Sequence, residues 1–207
     1  MKIDYRLAKF TTSVATPSQL PPDVGREVAF VGRSNSGKSS ALNTLTEQKG
    51  LARTSKTPGR TQLINFFNLT PAQRLVDLPG YGYAKAPASE QERWARLINR
   101  YLEKRASLAG LVVLMDIRHP LTSFDLQLLE WAQSQSLPVH ILLSKADKLP
   151  FGKQKTTLLQ VQKILINQPN ISIQLFSSLK KLGLEELKAH LATWFAASAS
   201  PTPTGDA

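Results

Sequence analysis

From about residue 27 to residue 196 the chain alternates short runs of β-branched and aromatic residues with longer stretches whose apolar positions recur every three or four residues. The short runs predict strands at Val28–Val31, Leu63–Leu69, Arg74–Leu78, Leu111–Asp116, Val139–Leu143 and Ile171–Phe176. The longer stretches predict helices at Lys38–Thr46, Ser89–Arg105, Ser123–Gln135, Lys153–Asn167 and Leu184–Phe195. Trp94, Leu97, Ile98, Tyr101 and Leu102 make one stripe on the second helix, and Leu184, Leu187, Leu191 and Trp194 make another on the last. Such stripes bury a helix against a neighbouring layer. The second and third strands flank Pro71 and read as a pair joined by a turn.

Strands alternating with helices predict an α/β fold of three layers, a mostly parallel sheet with helices on both faces and an antiparallel edge. Ligands in such sheets lie outside the carboxyl ends of the strands. Lys9–Val14 adds a possible edge strand before a Pro-rich link at Pro17, Pro21 and Pro22. From Ala197 the chain is small, polar and Pro-punctuated, with too little apolar surface to order itself. The expected organisation is an N-terminal extension over 1–26, a domain over 27–196 and a disordered tail over 197–207.

Three motifs fall at the predicted carboxyl ends. Gly32-Arg33-Ser34-Asn35-Ser36-Gly37-Lys38-Ser39 follows the first strand of the domain and opens a helix, matching G-x-x-x-x-G-K-[ST]. The glycines let the backbone wrap a phosphate, while successive N–H groups and the helix N-terminus supply positive potential. Lys38 would reach the β- and γ-phosphates, and the Ser39 hydroxyl would ligate Mg²⁺. This loop points to a nucleoside triphosphate without saying which base. Asp77-Leu78-Pro79-Gly80 ends a later strand. A carboxylate there holds Mg²⁺ through water, and the Gly80 N–H can approach the γ-phosphate. Ser144-Lys145-Ala146-Asp147 addresses the base. Guanine presents N1–H and the N2 amine side by side, two donors that one carboxylate accepts together, whereas adenine offers no such pair. A buried Asp147 therefore favours GTP. The Lys145 stem can lie along the base plane, and in Phe176-Ser177-Ser178 the Ser178 N–H could donate to guanine O6.

Composition narrows the partners. Lys and Arg number 26 against 15 Asp and Glu, a formal net charge of +11, which favours a polyanion such as RNA, DNA or an acidic membrane surface. The longest apolar run, Leu111–Met115, is too short to span a bilayer, and Met1–Phe10 lacks the apolar core of a secretory signal. No amphipathic basic helix or lipidation signal supports membrane attachment. The chain has no cysteine, which fits a cytoplasmic setting and removes thiolate chemistry. A monomer is the expectation for one small domain. The rival enzyme class, a metabolic P-loop kinase, would need an acceptor-binding lid and usually lacks a Lys-Ala-Asp segment.

In this order the motifs resemble the translation-factor-like branch of P-loop GTPases, and within it the EngB family (also called YihA or YsxC) of bacterial GTPases. The residues that carry the resemblance are Gly-Arg-Ser-Asn-Ser-Gly-Lys-Ser-Ser at 32–40, Thr-Pro-Gly-Arg-Thr-Gln-Leu-Ile-Asn-Phe-Phe at 57–67, Asp-Leu-Pro-Gly-Tyr-Gly-Tyr-Ala at 77–84, Asp-Ile-Arg-His-Pro at 116–120 and Ser-Lys-Ala-Asp-Lys at 144–148. The resemblance implies a Ras-like G domain that binds GTP and GDP with Mg²⁺ and hydrolyses GTP as a switch. It further implies a role with ribosomal RNA in assembly of the large ribosomal subunit, and a link to cell division and septation, the alternative being a division GTPase acting through a protein partner. By position, Thr61 becomes the switch threonine that ligates Mg²⁺ and senses the γ-phosphate. Lys38, Thr61, Asp77 and Gly80 are the expected catalytic set, and Ser39, Thr61 and Asp77 the metal set. Ser40, Gly59, Arg60, Gln62 and Leu63 join the nucleotide contacts.

Three details depart from the wider superfamily. Ser144 stands where asparagine is usual, so an amide bridge to the phosphate loop is expected to be lost. Tyr81 stands where many GTPases place a water-positioning glutamine, which predicts slow intrinsic hydrolysis. Asn35 either ligates K⁺ beside the phosphates or simply tolerates a tight loop conformation; equal hydrolysis rates in K⁺ and Na⁺ would exclude the first. The segments Gly50–Thr61 and Pro79–Pro87 read as switch loops. They carry Arg53, Lys56, Arg60 and Lys85, while Arg118, His119, Lys148, Lys153, Lys155, Lys180 and Lys181 are further cations near the same sheet edge. His119 has no companions at metal-ligand spacing.

Overall fold

A computed structural model describes residues 3–52, 63–80 and 88–197, with the backbone alone over 88–95. Seven strands form one sheet: β1 (Lys9–Val14), β2 (Arg26–Gly32), β3 (Ile64–Thr70), β4 (Gln73–Asp77), β5 (Leu108–Asp116), β6 (Val139–Ser144) and β7 (Ile171–Leu175). Among the described residues five α-helices accompany them: α1 (Lys38–Leu45), α2 (Ala88–Lys104), α3 (Ser123–Ser134), α4 (Phe151–Ile164) and α5 (Leu184–Ala196). The spatial order is β1-β3-β4-β2-β5-β6-β7. β1, β3 and β4 pair antiparallel, and the pairings from β4 through β2, β5 and β6 to β7 are parallel. The expected mostly parallel sheet with an antiparallel edge is what forms.

Alternation along the central strands sends side chains to two cores. Ala29, Val31, Val76, Leu111 and Val113 pack with Leu97, Ile98 and Tyr101 of α2, Leu129 and Ala132 of α3 and Val161 of α4. Val28, Phe30, Leu75, Val112 and Leu114 pack on the other face with Leu42 and Leu45 of α1 and Leu187, Leu191 and Trp194 of α5. Burial on both faces is why these strands read as continuous apolar runs. Trp94, the first residue of the expected α2 stripe, falls among the residues whose side chains are not described.

Of the boundaries that differ from the pattern, two have a local physical reason. β5 begins at Leu108, not Leu111, because Gly110 belongs to the strand and does not break it. A Cβ at Gly110 would lie 2.6 Å from the Trp194 ring, so the glycine is set by packing against α5. α4 begins at Phe151, with Pro150 as its N-cap, ahead of the Lys153 suggested by periodicity.

The amino end of the parallel strands is closed by charge. Glu27, fully buried at the start of β2, accepts hydrogen bonds at Oε1 from Arg74 and Arg105, each 2.7 Å, and at Oε2 from Arg105 Nε at 2.9 Å and Tyr101 at 3.0 Å. The same arginines donate to the carbonyls of Pro21 and Pro22, so the Pro-rich link is clamped under the sheet. Asp23 accepts from the backbone N–H groups of Ala106 and Ser107. Replacing one member of such a buried cluster leaves opposite charges uncompensated, at a cost of about 3–5 kcal/mol. Glu27→Ala is expected to lower unfolding stability by about that amount in urea titration, and a loss under about 1 kcal/mol would show that solvent compensates the arginines.

Candidate phosphate and base site

β2 delivers its last residue, Gly32, into a loop that reverses through Asn35 (φ 63°) and Gly37 (φ 95°) before α1 begins at Lys38. A Cβ at Gly32 would meet the Leu114 carbonyl at 2.7 Å, so the turn admits no side chain there. Asn35 occupies the left-handed region that asparagine tolerates, which is the loop-conformation reading of that residue. No side chain caps α1, so the N–H groups of its first turn face the loop as an anion-binding end. The Ser36 hydroxyl is buried and has no hydrogen-bond partner among the described residues. Arg33 is exposed and Ser34 partly covered.

Lys38 pairs with Asp77, the last residue of β4 and only 4% exposed. β2 and β4 run parallel with Phe30 opposite Asp77, and Leu78 donates its N–H to the Phe30 carbonyl at 2.9 Å. Leu78, Pro79 and Gly80 are buried behind the carboxylate, and Ser39 stands half-buried in the first turn of α1 beside exposed Ser40. A hydroxyl and a carboxylate beside a phosphate loop form an all-oxygen donor set that suits Mg²⁺. Gly59, Arg60, Thr61 and Gln62 lie outside the described residues, as do Arg53, Lys56, Tyr81 and Lys85; Leu63 is the first described residue of the following segment.

The base motif is braced to the phosphate loop. Ser144 ends β6 and donates its hydroxyl to the Ser36 carbonyl at 2.6 Å, with the Met115 carbonyl at 3.1 Å. The amide bridge is absent as expected, but a hydroxyl bridge takes its place: a hydroxyl has one proton to donate, and here it spans from β6 to the loop after β2. Lys145, at φ 57°, adds a second brace by donating Nζ to the Asn35 carbonyl at 2.6 Å and to Asp116 at 3.0 Å. Asp116 also receives a two-pronged contact from Arg118, and Arg118 first and Lys145 next hold its carboxyl well below the usual range. Ala146 is buried and donates its N–H to the Phe176 carbonyl at 3.1 Å.

Asp147 accepts a 2.6 Å hydrogen bond from the Ser177 hydroxyl, which lowers its pKa, so the carboxylate is held charged and oriented. Ser177 also accepts from the Lys180 N–H at 3.2 Å, and its own N–H donates to the Leu182 carbonyl. Half-buried Ser178 lies next in this loop. Asp147, Ser177, Lys180 and Gln154 line a cavity of about 520 Å³. The structure thus gathers Ser36, Lys38, Asp77, Ser144, Lys145, Asp147 and Ser177 at one edge of the sheet. His119 donates its N–H to the Asp116 carbonyl at 2.9 Å, and among the described residues no three His, Asp or Glu side chains gather as a metal site.

Sequence reading passed over the supports of the last loop. Gln174 of β7 donates Nε2 to the Gly183 carbonyl at 2.7 Å and to its neighbour Leu175 at 3.2 Å. With its amide nitrogen so used, its Oε1 accepts from His140 Nε2 at 2.7 Å, and His140 Nδ1 accepts from Ser172 at 2.7 Å. Burial, then the stacked ring of His190 at 4.0 Å, pushes the His140 pKa down to about 4, so the ring is neutral near pH 7. Gly183 has φ 73°, and a Cβ there would lie 2.2 Å from the Leu175 carbonyl. The one signal in the sequence is polar residues, His140, Ser172 and Gln174, inside otherwise apolar strands.

Residues 27–145 match a family described as 50S ribosome-binding GTPase. Over 195 residues the chain is 56% identical to the probable GTP-binding protein EngB of Idiomarina loihiensis, covering 94% of this chain and 95% of that protein. Identity is 58% over 192 residues to that of Coxiella burnetii, covering 92% and 94%. The chain belongs to the EngB family of GTP-binding proteins. EngB proteins are GTPases, and GTP hydrolysis is the reaction of this domain. A solved probable EngB covers 82% of this chain and 98% of its own with a TM-score of 0.65 at 21% identity. Era in complex with MgGDPNP and a segment of 16S ribosomal RNA gives a TM-score of 0.65 at 23% identity, covering 88% of this chain and 60% of its own. Those two likenesses establish the fold.

Gln174→Leu removes the amide that holds the Gly183 end of the loop while keeping an apolar side chain in its place. GDP affinity, measured with a fluorescent analogue, is expected to fall about tenfold, the worth of one or two ordinary hydrogen bonds. Affinity within twofold of wild type would show that Gly183 and the Ser177–Leu182 bridge hold the loop alone.

Proposed function

We propose that this GTPase is a GTP-gated switch in assembly of the large ribosomal subunit, with ribosomal RNA as part of its partner surface. The bracing of base motif to phosphate loop by Ser144 and Lys145 supports one nucleotide spanning both, and the Lys38–Asp77 pair, which a triphosphate with its metal would part, is the observation that carries the switch. The ribosomal reading is supported by the family description, by Era's complex with ribosomal RNA and by a net charge of +11. Cell division would feel its loss through ribosome supply.

In this reading residues 1–26 extend a G domain over 27–196, residues 197–207 are a tail, and the protein works as a cytoplasmic monomer. The loop Gly32–Ser40 and the first turn of α1 cradle the phosphates, and Lys38 moves from Asp77 to the β- and γ-phosphates, where it offsets charge on the leaving group. Ser39, Asp77 and Thr61 would hold Mg²⁺, which would neutralise phosphate charge. Gly80 donates its N–H to the γ-phosphate. Asp147 takes the guanine N1–H and N2 amine, Lys145 covers the base, and Ser178 donates to O6. Gly59, Arg60, Gln62, Leu63, Leu78, Pro79, Ala146, Phe176 and Ser177 would add further nucleotide contacts. Tyr81 lacks an amide to place the attacking water, so intrinsic hydrolysis is slow, and Asn35 is the candidate K⁺ ligand that would assist it.

Co-sedimentation with large-subunit particles, using GDP, a non-hydrolysable GTP analogue or no nucleotide across a salt series, tests the switch. Binding that needs the analogue and weakens as salt rises is the expected result. Absence of binding in every state, with particles that retain assembly intermediates, would reject the ribosomal reading in favour of a protein partner in division.

A further inference from the structure

Phe151, Lys155, Leu159 and Lys163 recur every fourth residue along α4, and all four are exposed, Phe151 to 78% and Leu159 to 55%. Side chains four apart on a helix climb one ridge, with a rise of about 6 Å per step. α4 packs on the sheet through Leu158 and Val161, with Leu165 just past its end, and the four ridge residues stay exposed beside that packed face. Ile166, 76% exposed, lies just beyond the end of α4.

The ridge is neither an ordinary solvated face nor an apolar stripe. A solvated face would not leave an aromatic ring open at the helix entrance, and a helix made for an apolar groove would not place a lysine at every second step. Its charge is also uncompensated. From Lys148 to Leu184 the sequence holds six lysines and no Asp or Glu. Among the described residues Lys153, Lys155 and Lys163 make no ion pair, whereas Lys148 approaches Asp147. Ammonium groups alternating with an aromatic ring and an aliphatic side chain match a chain of phosphates carrying unpaired bases, since every base has a face that stacks. An acid-free stretch in a protein of net charge +11 favours a polyanion over a protein groove.

We propose that the outer ridge of α4 is an RNA-docking surface, Lys155 and Lys163 taking phosphates and Phe151 and Leu159 packing on bases of an unpaired segment. This rests on the ribosomal RNA reading above and assigns its contact to one face. The amino end of α4 also approaches the base motif: Gln154, within the first turn of α4, lines the cavity beside Asp147 and ties back to the Leu149 carbonyl at 2.9 Å.

The test uses the full chain with a non-hydrolysable GTP analogue, a fluorescent 20-nucleotide mixed-sequence single-stranded RNA, and large-subunit particles. Three proteins are compared with wild type: Lys155→Glu with Lys163→Glu, Phe151→Ala, and a charge-matched control, Lys9→Glu with Lys49→Glu. Unaltered GDP affinity verifies folding in each. The ridge lysine pair is expected to weaken binding to RNA and particles about tenfold or more and to flatten the plot of log affinity against log salt by about 1.4, two contacts at roughly 0.7 each. Phe151→Ala should weaken binding at least about fivefold and leave the slope unchanged. The control pair should have a clearly smaller effect. Ridge variants that match the control overturn this assignment and leave the ribosomal reading standing. Loss of particle binding with free-RNA binding intact overturns it in favour of a protein contact. Wild type that binds neither RNA nor particles removes both readings together.

Discussion

Parallel pairing of β2 with β4 and β5, and of β5 with β6, is the constraint on which the rest depends. Register places Gly32 opposite Leu114, Phe30 opposite Asp77 and Asp116 opposite Ser144, so the loops after four strands emerge level along one edge. Two short side-chain braces then convert neighbouring loops into one surface. Ser144 reaches the Ser36 carbonyl and Lys145 reaches the Asn35 carbonyl, both at 2.6 Å. Neither brace would span if the pairing slipped by one residue, because a slip reverses the faces of every side chain.

The two ends of the sheet are built from opposite principles. At the amino end Glu27 satisfies two arginines and a tyrosine in full burial, and the Pro-rich link closes over them. Every charge there has its partner within the chain. At the carboxyl end the helix of the phosphate loop has no side-chain cap, Ser36 leaves its hydroxyl unpaired, and the Lys38–Asp77 pair joins two groups with other chemistry to perform. The Glu27 cluster is satisfied within the chain, whereas the Ser36 hydroxyl and the Lys38–Asp77 pair are groups for which a ligand can supply the partner.

Most strands and helices were legible because burial on both faces makes long apolar runs, and because helix stripes such as Leu184, Leu187 and Leu191 keep their period. The N-terminal part of β5 was not, since Gly110 reads as a breaker until Trp194 is seen lying against it. The phosphate loop and Asp147 were legible from residue type and spacing. What Ser144 does was not, because a short hydroxyl reaches the phosphate loop only through the approach that strand register imposes. Asp116, Gln174 and His140 were likewise invisible as supports, since their partners are distant in sequence: 29 residues from Asp116 to Lys145 and 34 from His140 to Gln174.

The central claim is that the Asp147 carboxylate, oriented by Ser177, selects guanine. Asp147→Asn replaces one acceptor oxygen with an amide NH2 donor, which opposes the guanine N2 amine but suits the carbonyl that xanthine carries at the same position. Parallel titrations of wild type and this variant with GDP and XDP decide the matter. The account predicts a loss of about a hundredfold for GDP, from two charge-assisted hydrogen bonds, together with a gain for XDP. A variant that binds GDP as tightly as wild type would show that Asp147 does not read the base.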